Sequence, residues 1–233
     1  MNHPINIDIT MTATLRPKVL RKTLRSFEKY AFGDTSKYKC RLVINIDPIG
    51  ELLVSQYKIK NIAKNHFPNV LCNISDTPSF PKALIWCWSH IKSNYVFHLE
   101  DDWRLNRFVP IDALIYALES NKKLASIRLS KSHITKDIDR KLTFNPSMFK
   151  KTFLVKFARL LDSNKNPEKQ VNSNFPKLYN FCNQWEYEVF GKVGDRRLVT
   201  DIGRKWMQRQ KFIKLNENNG QNSSSFTTWE KKC

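Results

Sequence analysis

Four times within the first 120 residues an apolar run is followed by a segment with helical spacing, and this alternation leaves few architectures open. Ile5 to Thr12 alternates apolar and polar residues and reads as a strand. Pro17 suits a first helical turn, and Val19, Leu20, Leu24 and Phe27 continue at helical spacing to about Tyr30. Arg41 to Asp47 reads as a second strand, closed by Pro48 and Gly50, with a helix over Leu52 to His66. Asn69 to Ile74 is a third strand, followed by a buried helix from Pro81 to Ile91. Tyr95 to Leu99 is a fourth strand that runs directly into Glu100, Asp101 and Asp102. A helix at Val109 to Leu118 and a strand at Leu124 to Leu129 follow. Such a pattern predicts an α/β fold: a mostly parallel central sheet with helices on both faces, wound through right-handed crossovers.

Beyond residue 130 the pattern loosens. Leu142 to Phe149 reads as a strand entering a turn, Lys150 to Asp162 as a helix, Pro167 to Val171 as the start of a short helix, and Trp185 to Phe190 as one more helix. Residues 216–228 are polar and read as a mobile tail. The chain has 233 residues, of which 41% are hydrophobic, enough for a real core without disulfide or metal staples. The expected organisation is one domain over 1–215, its halves meeting near residue 130, with 216–233 as the tail.

No apolar stretch is long enough for a transmembrane helix. The N-terminus lacks the basic and apolar regions of a secretory signal, so a cytoplasmic location is expected. The cysteines Cys40, Cys72, Cys87, Cys182 and Cys233 form no C-x-x-C pair and are odd in number, which points to reduced, mostly buried thiols. The net charge of +19 is unevenly spread. Residues 1–120 hold sixteen basic and eleven acidic side chains, and residues 121–233 hold twenty-four and ten. Codon bias toward Asn and Lys explains part of this excess; a polyanionic partner explains the low acidic count in the second half.

In an open α/β sheet, ligands bind beyond the carboxyl ends of the strands. Strand one ends there at Thr10, Thr12 and Arg16, strand two at Asp47, and strand four at Glu100, Asp101, Asp102 and Trp103. Three adjacent carboxylates after a buried strand repel one another unless a cation neutralises them, and oxygen donors suit Mg²⁺ or Mn²⁺ bridging to substrate phosphates. The plain alternative is a solvated acidic turn. Neither a Gly-x-Gly-x-x-Gly nor a P-loop pattern occurs, so those nucleotide sites are unsupported.

With its first strand leading to Thr and Arg-Pro, its second ending in Asp and its fourth ending in Glu100-Asp101-Asp102, the chain resembles the GT-A fold nucleotide-sugar glycosyltransferases. The triplet is similar to a variant of that family's Asp-x-Asp motif. The resemblance covers residues 5–130 well. It is weaker over 142–210, where Asn145-Pro-Ser147, Asn166-Pro-Glu168 and Asp201-Ile-Gly-Arg204-Lys-Trp206 look like acceptor-side motifs. It implies a nucleotide-diphosphate sugar donor, UDP-linked by first expectation, with Mn²⁺ or Mg²⁺ on Asp102. Asp101 would act through water or the donor ribose, and Glu100 would orient its neighbours. Asp47 would bond the base or ribose, and Thr10, Thr12 and Arg16 would line the nucleotide cleft. Asp47 otherwise reads as a turn residue, and Arg16 as a solvated helix-start residue. Lys82 either faces the diphosphate or is a surface lysine.

Transfer to a hydroxyl by an inverting route needs a base. Glu168, after Pro167 at a helix start, is the first candidate, with Asp162, Asp195 and Asp201 as rivals. Asp201 is alternatively a further metal ligand, although that position is frequently His in similar enzymes. Arg204 would stabilise the leaving diphosphate. His98 reads as a core or cleft histidine, and Trp86, Trp88 and Trp103 as core residues. Trp185 and Tyr187 either pack in the core or stack on an acceptor. Some viral glycosyltransferases that modify hydroxymethylated pyrimidines in DNA are similarly small, basic and cytoplasmic. Through Lys150-Lys151, Arg196-Arg197, Arg204-Lys205 and Arg209-Gln-Lys211 the basic second half would then grip DNA. The alternatives are a transferase of cell-surface glycans and an inactive nucleic-acid-binding protein with a transferase fold.

Overall fold

The computed structural model describes residues 4–132, 142–191, 194–216 and 227–231. Its first half alternates strand and helix as expected: β1 (Ile5–Leu15), α1 (Pro17–Phe27), β2 (Tyr38–Gly50), α2 (Gln56–His66), β3 (Val70–Ile74), α3 (Phe80–Ser89) and β4 (Tyr95–Glu100). A π-helical turn at Glu28–Phe32 extends α1. Then come β5 (Trp103–Leu105), α4 (Ile111–Ser120), β6 (Leu124–Leu129), β7 (Ser147–Lys150) and α5 (Lys151–Leu160). The chain continues through a 3₁₀ turn at Pro167–Gln170, α6 (Pro176–Cys182), β8 (Glu186–Phe190), β9 (Val199–Asp201) and α7 (Gly203–Arg209). The last elements are β10 (Phe212–Asn216) and β11 (Thr227–Lys231).

Seven strands form the central sheet in the order β3-β2-β1-β4-β7-β6-β8. β1 pairs in parallel with β2 and β4, β2 with β3, and β6 with β8; β7 alone runs against its neighbours β4 and β6. The sheet is buried on both faces, so the polar residues that alternate along β1, among them Asp8, Thr10 and Thr12, are buried together with its apolar ones. One face packs Ile9, Met11, Leu42, Ile44 and Phe97 against α1, α2 and α4 through Leu24, Ile59 and Leu114. The other packs Val43, Val96 and Phe149 against α3, α5 and α6 through Trp88, Phe153 and Leu178.

Four local expectations are corrected. The helix expected from Leu52 starts at Gln56, because Ser55 caps it by accepting the Lys58 N–H while Leu52 and Leu53 stand exposed. Trp185–Phe190 is not a helix but largely the edge strand β8, whose Trp185 and Tyr187 lie edge-on to Phe153 at 5.6 and 6.0 Å. Of the segment Leu142–Phe149 only Ser147 onward is strand. Within the expected tail, Thr227–Lys231 pairs antiparallel with Phe212–Asn216; residues 217–226 lie outside the described residues. The thiols of Cys40, Cys72, Cys87 and Cys182 are free, and burial pushes each upward, Cys40 and Cys87 to about 12. Among the described residues no helix is long and apolar enough to cross a membrane.

Candidate active site

The strand order reverses between β1 and β4, and in open α/β sheets such a switch point opens a crevice at the carboxyl ends. Arg16 leaves β1 as the residue preceding α1, with Pro17 fixing the first turn. Asp101 and Asp102 form the turn between β4 and β5. The Arg16 guanidinium joins them. Its Nη2 and Nε donate to the two oxygens of Asp101, and Nη1 donates to Asp102 Oδ2 at 3.1 Å. Asp101 Oδ2 also accepts the Thr14 N–H at 3.0 Å, and the Thr23 hydroxyl donates to the Asp101 carbonyl at 2.7 Å. Asp101 is therefore a buried anchor with both carboxylate oxygens engaged.

A third carboxylate arrives from far along the chain. β5 and β9 form a two-stranded antiparallel ribbon that sets Asp201 opposite Trp103, and the Ile202 N–H donates to the Asp102 carbonyl at 2.8 Å. Asp201 Oδ1 accepts the N–H groups of Gly203 and Arg204, which holds the start of α7. Gly203 is required there, because a Cβ would stand 2.0 Å from Asp102 Oδ2 and 2.7 Å from Arg16 Nη1. Trp206, one turn further, covers Arg16 with its ring 5.5 Å from the guanidinium carbon and donates through Nε1 to Glu51.

Burial pushes the Asp102 pKa upward; Arg16 opposes this, while Asp101 and Asp201 add to it by repulsion. Burial would lower Arg16, but Asp101 and then Asp102 hold its charge more firmly than usual. Three carboxylates thus meet two guanidiniums, Arg16 on Asp101 and Asp102 and the exposed Arg204 3.8 Å from Asp201, an excess of negative charge that favours a cation. Among the described residues no three potential metal-ligating side chains converge. The protein offers Asp102 and Asp201, and one or two carboxylates suffice for Mg²⁺ or Mn²⁺ when substrate phosphates and water complete the shell. The donor set fits such an ion.

Asp47 ends a polar ladder at the same end of the sheet. It accepts the Asn45 side-chain amide at 2.8 Å and the Ser79 N–H at 3.1 Å; Asn73 and Ser75 both donate to Asn45 Oδ1. Burial raises its pKa against these hydrogen bonds. Lys82 is exposed in the first turn of α3, its N–H directed to Ser79. Thr12 lies beside Glu100 in register, and its carbonyl accepts the Asp101 N–H. Thr10 lies deeper: fully buried, its hydroxyl bonds His98 Nδ1 at 3.0 Å. Glu168 stands exposed on the 3₁₀ turn, its N–H donating to Asn166, and Arg204 is 81% exposed with Nε 3.8 Å from Asp201. Asp195 pairs with Arg107, and Asp162 with Lys165. Trp103 is buried beside the cluster.

The structure thus brings Arg16, Asp101, Asp102 and Asp201 together, sets Asp47 near the end of β2 and Lys82 in the first turn of α3, and leaves Glu168 on a separate turn. Thr14 and Glu51 carry parts of the site that sequence reasoning assigned no role, and Gly203 and Trp206, read there only as part of an acceptor-side motif, pack against Arg16. Gly203 left a signal as a glycine two residues after a strand-ending Asp, and Trp206 as the end of the same motif. A pocket of about 600 Å³ adjoins the cluster, lined by Asp201, Glu51 and Trp206 and by Lys18, Lys205 and Arg209.

No protein family and no curated protein matches the chain by sequence. Solved structures share its fold. TarS from S. aureus superposes with a TM-score of 0.57 at 11% identity, over 89% of this chain and 64% of that one. A TarS complex with UDP-GlcNAc gives 0.55 at 14% identity, over 84% and 58%. A mannosyltransferase from Pyrobaculum calidifontis in complex with GDP-Man and Mn²⁺ gives 0.54 at 10%, over 82% and 55%. A cytidylyltransferase from Leptospira borgpetersenii gives 0.51 at 12%, over 89% and 86%. The chain spans somewhat less than two thirds of the TarS and mannosyltransferase chains it resembles. What it has in common with all of them is the GT-A-like fold, a mostly parallel sheet flanked by helices.

Proposed function

We propose that the chain is a glycosyltransferase that moves a sugar from a nucleotide-diphosphate donor to a hydroxyl acceptor with the help of Mn²⁺ or Mg²⁺. The observation that carries this reading is the placement of Asp102 and Asp201 near one another at the switch point of the sheet, with Asp102 held by Arg16, which Asp101 anchors. Its fold likeness to proteins solved with UDP-GlcNAc and with GDP-Man and Mn²⁺ supports it. Asp102, with Asp201, would hold the metal, which supplies Lewis-acid stabilisation of the leaving diphosphate. Arg16 fixes Asp102 through Nη1 and opposes the upward push of burial on its pKa, and Asp101 anchors Arg16. Asp47, Thr12 and Glu100 would contact the nucleoside, and Lys82 and Arg204 the phosphates. Trp206 excludes water from Arg16. Glu168 is the proposed base; Asp162 and Asp195 are each tied to a cation, and Asp201 to the start of α7.

The finer reading is transfer to a hydroxymethylated pyrimidine in DNA, in the cytoplasm of a virus-infected cell, with cell-surface glycan synthesis as the alternative. A donor screen with Mn²⁺ or Mg²⁺, detecting free nucleoside diphosphate with and without hydroxymethylated DNA, tests it. Nucleoside diphosphate should appear and should vanish in excess chelator. Asp102→Ala should lower turnover by at least about 10²-fold, as expected when several kcal/mol of metal stabilisation is lost. Full activity of that variant would refute the metal role. Pyrophosphate released from CTP instead would assign nucleotidyl transfer, the reaction class of the cytidylyltransferase. Glu168→Gln should keep donor affinity within a few fold and lose about 10²–10⁴ in rate; normal turnover would remove Glu168 as the base.

A further inference from the structure

Helix α1 has two faces of opposite character. Leu20, Leu24 and Phe27 are buried in the core, whereas Lys22, Arg25 and Lys29 stand exposed along one line at helical spacing, the last in the π-helical turn. Surface helices usually offset such cations with acids three or four residues away. From Pro17 to Phe27 α1 contains Lys18, Arg21, Lys22 and Arg25 and no acidic residue, and Glu28, which opens the π-helical turn, is bonded to His66 at 2.7 Å. Facing this stripe are Arg104 and Arg107 from β5 and its following loop, and Arg196 and Arg197 from the segment before β9. Together they line a groove of about 1300 Å³ with no acidic side chain among its lining residues.

The groove is built and not a chance scatter of lysines. The Leu105 N–H donates to Ser26 Oγ at 3.0 Å, fastening β5 to α1. The Val109 N–H donates to the Tyr30 carbonyl at 2.9 Å, fastening the next loop to the π turn. The Asn106 N–H donates to the Leu198 carbonyl, and Arg107 Nη2 donates to the Arg196 carbonyl at 3.0 Å, which fixes the third wall. Asp195 pairs with Arg107 at 3.4 Å, leaving a large positive surplus. Like charges held this close repel one another unless an anion lies between them.

We infer that this groove binds the phosphodiester backbone of a nucleic acid. A free nucleotide would engage only part of a groove of this size, whereas a chain of regularly spaced phosphates matches cations arranged along a helix. Tyr30 in the wall and Phe108, 68% exposed beside Arg107, add aromatic faces suited to unstacked bases. Lys22, Arg104 and Thr200 line both this groove and the pocket containing Asp201, so a bound strand passes directly to the candidate active site. Most of these cations come from residues 22–107, so the grip is not confined to the basic second half. The inference rests on the DNA-acceptor reading for what the strand is used for, and not for the binding itself.

The test is fluorescence anisotropy with a labelled 20-mer DNA, single-stranded and duplex, across a salt series, with neither nucleotide sugar nor metal present. It therefore succeeds or fails apart from the transfer chemistry. The triple variant Arg25→Ala, Lys29→Ala, Arg197→Ala is compared with Lys122→Ala, Lys123→Ala, Lys169→Ala, which removes the same charge from exposed sites elsewhere. All six side chains are exposed, and circular dichroism verifies that both variants fold. The native chain should bind with log-linear salt dependence. The groove variant should bind at least about 10-fold more weakly at low salt, with a slope shallower by about 2 to 3, since each phosphate contact contributes about 0.7 to 0.9. The control should stay within about twofold. Equal losses in both variants, no binding of either DNA, or equally tight binding of anionic lipid vesicles or polyglutamate would overturn the inference.

Discussion

Gly203 sits where one methyl group has no space, against Asp102 Oδ2 and Arg16 Nη1. Gly203→Ala must displace the carboxylate, the guanidinium or the start of α7. We expect a loss of about 1–3 kcal/mol of stability, the usual cost of overpacking, read from the urea midpoint; an unchanged midpoint would show that α7 yields freely. His98 is a second buried site with a measurable signature. Thr10 bonds its Nδ1, Trp88 and Phe144 cover its ring, and among the described residues Nε2 has no partner. Burial lowers its pKa from 6.5 to about 3. The unfolded chain therefore binds a proton that the folded chain refuses between those values. Stability is intact above about pH 6.5 and falls as pH drops toward 3, by up to about 1.4 kcal/mol per pH unit. His98→Phe should flatten that acid limb by one proton. Denaturation series at pH 7, 5.5 and 4.5 measure it, and an identical slope in the variant would assign the limb to other groups.

At the scale of elements, the layer of α3, α5 and α6 depends on stacked aromatics. Phe153 lies 5.5 Å from Phe157 and 5.4 Å from Phe181, centroid to centroid, and is fully buried. Phe153→Ala should destabilise by about 3–5 kcal/mol, with the edge strand β8 loosening first because Trp185 and Tyr187 lean on that ring; hydrogen exchange across Glu186–Phe190 checks the order. The elements from β1 to β6, apart from the three-residue β5, were legible because each is long and strongly periodic and their connections are mostly short. β8 was misread although Trp185, Tyr187 and Val189 alternate with Glu186 and Glu188 at the strand period. Five residues at the edge of the sheet leave that alternation weak, and the pairing with β6 decides it. β5 and β9 have three residues each, too few to leave a pattern, and exist because they pair with one another. The acidic triplet was legible as a candidate site, since concentrated charge after a buried strand is locally anomalous. Its partners were less so: Arg16 read equally well as a solvated helix start, and the roof formed by Trp206 depends on contacts across the whole chain.

Over the whole molecule, a net charge of +19 works against compactness, and the exposed stripe on α1 concentrates that effect. Thermal stability should therefore rise as salt goes from about 0.01 to 0.15 M and the screening length shrinks from about 30 to about 8 Å. Melting curves at fixed pH test this, and a flat or falling Tm would show that attractive pairs outweigh the repulsion. The ribbon of β5 on β9 has a further consequence. It ties together segments such as Asn106 and Thr200 that lie 94 positions apart, and Asp201 reaches Asp102 only when it closes. A molecule with every strand of its central sheet in place and this short seam open would look native to far-UV light and, under the proposed function, be catalytically silent. In rising denaturant, turnover should disappear before ellipticity does, so that activity serves as a gauge of the last stitch in the fold.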